Sequence, residues 1–331
     1  MLNLPNASKT TSRMFALRKL IAALAFVGRH GTIAVALSIV LGIVVPSLAA
    51  TFKPILGEAV VALLLLSFLR VDPAALGALA RRPLIVLAAA AWLMLLLPAA
   101  FAGFFTAIGI DRTMPDLYFI LILQSCSPAL MSAPAMAALM GLDVALTLAC
   151  LLCSMAVVPL VAGVVTHLFL GQSLIEPVSF GLRLFALIGG SAVGAAIIRR
   201  IAGGKTIAAN YELLDGLSVL AMFIFAMAAM DGVTAAALAD PTFVAVLTAL
   251  VFALTIGTIV VTTLVFLAAG RERALAIGIL TSNRNMGVML TAATGFAVPP
   301  VGWLYFGLAQ FPIYLLPVVL KWFAGRIAEN R

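Results

Sequence analysis

The sequence predicts an all-α polytopic membrane protein: ten transmembrane helices as two inverted five-helix repeats, with discontinuous helices 4 and 9. Three observations carry this expectation. Of the 331 residues, 64% are hydrophobic and only 10% are charged, against about 25% charged in an ordinary soluble domain. So little polar surface leaves no room for a sizeable soluble domain. Ten apolar runs, bounded by charges, Pro and Gly, each approach the roughly 20 residues that cross a bilayer. Two of those runs are interrupted by polar residues, and the interruptions fall at matching places in the two halves.

Residues 1–30 read as a cytoplasmic tail, polar at Asn3, Asn6, Ser8, Lys9 and Thr10, followed by an interfacial helix over 14–27. This short apolar stretch is no signal peptide, because Arg29 and His30 stand where a small-residue cleavage site belongs. The predicted spans are 31–48, 54–69, 83–103, 116–139, 144–169, 178–198, 212–230, 242–268, 274–297 and 301–323. Five fall in a first repeat, 31–170, and five in a second, 171–331. An odd number per half sets the halves in opposite orientations, as an inverted repeat requires.

Loop charge sets the orientation. Of the 20 Lys and Arg, Arg183 and Arg284 lie inside spans and only Lys53 and Arg112 lie on the side opposite the N-terminus, which leaves sixteen on the N-terminal side. By the positive-inside rule both termini are cytoplasmic, as in a protein of the plasma (bacterial inner) membrane. The net charge of +8 is thereby an insertion signal, and nucleic-acid binding is not needed to explain it. Cys126, Cys150 and Cys153 all lie in apolar segments, with no loop to hold a metal or a disulfide framework, and read as packing residues.

The ninth span carries Thr281-Ser282-Asn283-Arg284-Asn285-Met286-Gly287. Arg284 falls at mid-membrane, where an arginine costs about 2.5–3.5 kcal/mol even on lenient insertion scales. Such a cluster faces protein or water. It reads as a substrate or ion site on a broken helix, with Gly278 and Gly287 letting the backbone unwind. The competing reading is a structural arginine buried against a carboxylate, with Glu58, Asp143 and Asp231 as the available partners. In the fourth span, Gln124-Ser125-Cys126-Ser127-Pro128 leads to Ser132-Ala133-Pro134. Pro128 and Pro134 remove backbone donors and open the helix. Gln124, Ser125, Ser127 and Ser132 then either bind a solute or satisfy the freed carbonyls. Paired discontinuous helices in corresponding positions point to a transporter's midplane site.

Ser132 through Thr147, with Gly141-Leu142-Asp143-Val144-Ala145-Leu146-Thr147, resembles the helix 4–5 signature of the bile acid:sodium symporter family, with Leu142 as one extra residue. Asn285-Met286-Gly287 is similar to the ninth-helix Gln-Asn-Ser-Gly segment of that family. The resemblance implies a panel domain (helices 1, 2, 6 and 7), a core domain (helices 3–5 and 8–10) that contains the crossed fourth and ninth helices, and alternating access between them. It also implies sodium ligands, and there this chain departs. Ala133 replaces the family's Asn, Leu280 and Arg284 replace its Glu and Gln, and the third span contains no amide. Ser132 and Thr147 remain, too little oxygen for two sodium ions, and Arg284 repels a neighbouring cation, so the expected carrier works without the usual two-sodium coupling.

The expected function is secondary transport of a small organic anion. Arg284 is its fixed positive charge, Asn283, Asn285, Ser282, Thr281, Ser127, Ser132 and Gln124 are its substrate ligands, and Thr147, Glu58 and Asp231 are ion-coupling candidates. Two alternatives stay open: an arsenite-type oxyanion efflux carrier using Cys126, and a non-transporting sensor that keeps the fold. No zinc, paired-Asp or Ser-His spacing supports an enzyme. No cofactor is called for, and the expected partners are the solute and the bilayer, with no obligate protein partner.

Overall fold

A computed structural model describes residues 24, 28, 31–71, 83–170 and 175–329. The predicted tail and interfacial helix lie outside the described residues except for Leu24 and Gly28, as do Arg81 and Arg82.

The described residues form helices and no strand. In order these are α1 (Gly31–Val44), α2 (Pro46–Phe52), a 3-10 turn (Lys53–Ile55), α3 (Leu56–Arg70), α4 (Pro83–Ala91), a π-helical turn (Trp92–Leu96), α5 (Leu97–Ala107), α6 (Ile110–Thr113), α7 (Pro115–Ser125), α8 (Ala133–Leu139), α9 (Val144–Leu170), α10 (Pro177–Ala202), α11 (Gly204–Ala209), α12 (Tyr211–Ala229), α13 (Val233–Ala239), α14 (Pro241–Val265), a 3-10 turn (Leu267–Ala269), α15 (Arg271–Ser282), α16 (Met286–Ala292) and α17 (Pro300–Glu329). Proline opens many of them, at Pro46, Pro83, Pro115, Pro177, Pro241 and Pro300. Its fixed φ suits the first helical turn, where its missing N–H would have no partner in any case.

Among the described residues, six helical stretches are long and apolar enough to cross a membrane: Pro46–Arg70, Pro83–Ala107, Val144–Leu170, Pro177–Ala202, Tyr211–Ala239 and Pro241–Val265. The chain is thus a multi-pass membrane protein. The boundary between the first two predicted spans moves. The loop expected between 48 and 54 is helical, and the break comes earlier, at Val45 (φ −123°, ψ 77°), because Pro46 forces its predecessor out of the helical region. The predicted fourth and ninth spans are each split in two, as α7 with α8 and α15 with α16.

The split helices sit in the core. Every residue of α7 from Leu117 to Leu123 is buried, and so is every residue of α15 from Ala274 to Ser282. A helix buried on all sides is enclosed by protein and keeps no stripe for lipid. Around them pack α9, α14 and α17, while α3 packs against α10 and α12 on the other side of the breaks.

Candidate functional site

The two interruptions meet. Ala129 and Arg284 form an isolated antiparallel bridge, in which the Leu130 N–H donates to the Asn283 carbonyl and the Asn285 N–H to the Pro128 carbonyl, each at 2.8 Å. Backbone that leaves the helix while buried, as at Ala129, Asn283 and Arg284, needs such partners. Each break supplies the other's.

Local sequence explains where the helices stop. Ser127 lies just before Pro128, which has no N–H to continue the ladder. The Ser125 and Ser127 hydroxyls turn back onto the carbonyls of Ile122 (2.7 Å) and Leu123 (3.1 Å). Beyond the break, Pro134 falls in the first turn of α8 and starts that helix instead of bending it. In the ninth span, Asn283 leaves the helix at φ −89°, ψ 95°, and its amide caps the Ile279 carbonyl at 2.8 Å. Asn285 is the N-cap of α16, accepting from the Val288 N–H, a position asparagine favours. The glycines do not unwind the chain. A Cβ on Gly278 would lie 2.5 Å from Thr263 Oγ1, and one on Gly287 would lie 2.6 Å from Phe225 Cε2. Both therefore serve close packing inside intact helices.

Arg284 is 5% exposed. Its Nη1 donates to the Ser127 carbonyl (2.8 Å) and the Leu93 carbonyl (3.1 Å), and Nη2 donates to Leu93 (3.2 Å). Both acceptors are made available by local backbone. Leu93 lies in the π turn, where the Leu97 N–H bonds to Trp92 O. The π partner of Leu93 would be Pro98, which has no N–H. Its carbonyl is left over, and the guanidinium takes it. The expectation of a carboxylate against Arg284 is not met. Asp231 pairs with Lys53 at 2.7 Å, Asp143 caps α9 through the Leu146 N–H at 3.0 Å and lies 3.9 Å from Arg273, and Glu58 lines a cleft on the Lys53 side.

Two cavities adjoin the bridge. One, of about 430 Å³, lies between α3, α12, α9 and the first break. Ser132 and Asn285 line it near the bridge, and Ser67, Arg70, Asp215 and Ser218 line it at the far ends of α3 and α12. Between these polar ends its wall is apolar, with Val60, Leu64, Leu130, Leu151, Met222 and Phe225. The other is a void of only about 10 Å³, lined by Gln124, Ser125, Thr255, Thr281, Ser282 and Arg284 among others. That is about the room one water needs. Gln124 Oε1 and Thr281 Oγ1 are buried there without a protein partner.

The predicted substrate residues thus divide. Ser132 and Asn285 face the larger cavity; Gln124, Thr281, Ser282 and Arg284 face the small void; Ser127 and Asn283 spend their polar groups on backbone. The ion-coupling candidates are not brought together. Thr147 is 2% exposed and donates to the Asp143 carbonyl, while Glu58 and Asp231 lie toward Lys53. The extra Leu142 has a structural reason. Its N–H bonds to Ala137 O and the Gly141 N–H to Ala138 O, with Gly141 at φ +67°. This is the Schellman closure of α8.

Sequence reasoning missed Ser67, Arg70, Asp215 and Ser218. The available signal was their spacing: two polar residues three apart on each helix share a face. No protein-family model and no curated protein matches the chain. The family resemblance rests on the residue motifs alone.

Proposed function

We propose that the chain is a secondary transporter of small organic anions, working by alternating access around the paired breaks. The supporting observation is the 430 Å³ cavity that ends on Ser132 and Asn285, beside the backbone bridge between the two interruptions. That volume lies in the range of small-molecule sites. In this reading the predicted spans form ten crossings in two inverted repeats, and the split helices are the crossed pair. With both termini cytoplasmic, the Arg70 end of the cavity faces the cytoplasm. Phe225 and Val60, seated on Gly287, form the barrier toward the opposite cleft of about 960 Å³ lined by Gly57, Glu58 and Thr291.

Arg284 takes the part of a resident cation. Carbonyl oxygens freed from the helical ladder are the groups that coupling ions use in transporters, and here the guanidinium takes two of them, Ser127 O at the first break and Leu93 O in the π turn. A mobile sodium ion is not required to hold the crossing. Cys126 is fully buried and lines neither cavity, so geometry gives the arsenite alternative no support. A thermal-shift screen of carboxylates, in sodium and in choline salts, tests the proposal. Equal stabilisation in both salts supports it; stabilisation in sodium alone contradicts the resident-cation role, and none in either contradicts the substrate class.

A further inference from the structure

Arg284 does not line the larger cavity, which leaves open what meets the anionic end of a solute there. We infer that Arg70 is the group that receives the carboxylate, by exchanging Asp215 for it. The inference rests on the carrier reading and adds the residue that reads charge.

Arg70 ends α3 and lines the cavity at the end opposite Asn285. Its Nη2 contacts Asp215 Oδ1 at 2.8 Å and donates to Ser218 Oγ at 2.9 Å. Its Nε is buried without a partner. One edge of the guanidinium fork is therefore incompletely used, although a carboxylate binds best across two parallel N–H groups. The ion pair is also easy to open. Its side chains are 34% and 51% exposed, and exposed pairs of this kind contribute little to stability. A carboxylate entering beside Arg70 takes the Nη2–H that Asp215 gives up and reaches the buried Nε–H only as the ion pair opens and the guanidinium turns, and the released Asp215 is solvated where it stands. The solute's body then lies along Leu63, Leu64, Val219 and Met222.

Such a site distinguishes an acid from its neutral isostere. The test measures binding of 4-phenylbutyrate and of 4-phenylbutyramide to the purified full chain by calorimetry. The wild type is expected to prefer the acid by on the order of tenfold, the yield of one charge-assisted hydrogen-bonded pair. Arg70→Gln removes that preference and leaves amide binding intact, which also reports that the variant is folded. Arg70→Lys restores part of the preference. Asp215→Asn removes the competitor and tightens the acid severalfold. Acid binding unchanged in both Arg70→Gln and Asp215→Asn overturns this inference and leaves the carrier standing. Failure of the wild type to bind the acid at all overturns both.

Discussion

Replacing Arg284 by Ala removes the side chain that joins the π turn to the first break. The Leu93 and Ser127 carbonyls lose their donors, and a buried polar group left unpaired costs about 1–3 kcal/mol, or about 2–6 for the pair. Emptying the space of a large buried side chain adds about 2–5 kcal/mol. Against these stands the relief of removing a mid-membrane arginine, about 2.5–3.5 kcal/mol. The balance is a loss of about 4 kcal/mol. At about 2 °C per kcal/mol for a chain of this size, the melting temperature falls by roughly 8 °C. A thiol-reactive dye reads the transition directly, because Cys126 and Cys150 are free and buried until the core opens. Guanidinium chloride at about four times its Kd returns about 1 kcal/mol, or roughly 2 °C, to the variant and not to the wild type. A variant that melts with the wild type and shows no guanidinium-specific recovery refutes the capping role.

Pro98→Ala supplies an N–H in reach of the Leu93 carbonyl, so in an Arg284→Ala background it recovers about 1 kcal/mol, while in the wild type it adds little; a double-mutant cycle in the melting assay measures this coupling. Gly287→Ala sets a methyl group 2.6 Å from Phe225 Cε2, and overpacking of this kind costs about 1–3 kcal/mol. The expected result is a folded protein with a modestly lowered melting temperature and reduced uptake in vesicles; uptake at the wild-type rate removes the Phe225–Gly287 contact as a barrier.

Much of this architecture was legible because the bilayer prices polar groups severely. Pro128 beside three hydroxyls, and Asn283, Arg284 and Asn285 within an apolar run, stand out only against lipid, and both breaks lie where those residues are. The direction of the Arg284 side chain was not legible. It depends on the π turn at Trp92–Leu96 and on Pro98, and a single misplaced helical hydrogen bond leaves no pattern in an apolar run. Gly278 and Gly287 were misread for a related reason, since a glycine that admits Thr263 or Phe225 looks the same in sequence as one that unwinds a helix. Arg70 was assigned to the loop charges that set orientation. Only the apposition of α3 and α12, a contact between distant parts of the chain, brings it to Asp215 and the cavity.

Uptake of radiolabelled 4-phenylbutyrate into vesicles reconstituted with the purified protein, with protein-free vesicles as the baseline, tests the central claim most directly. Saturable uptake at the same rate with sodium or choline as the external cation is expected, because Arg284 already occupies the Leu93 and Ser127 carbonyls. Uptake that appears only with sodium, or none above the baseline, contradicts it.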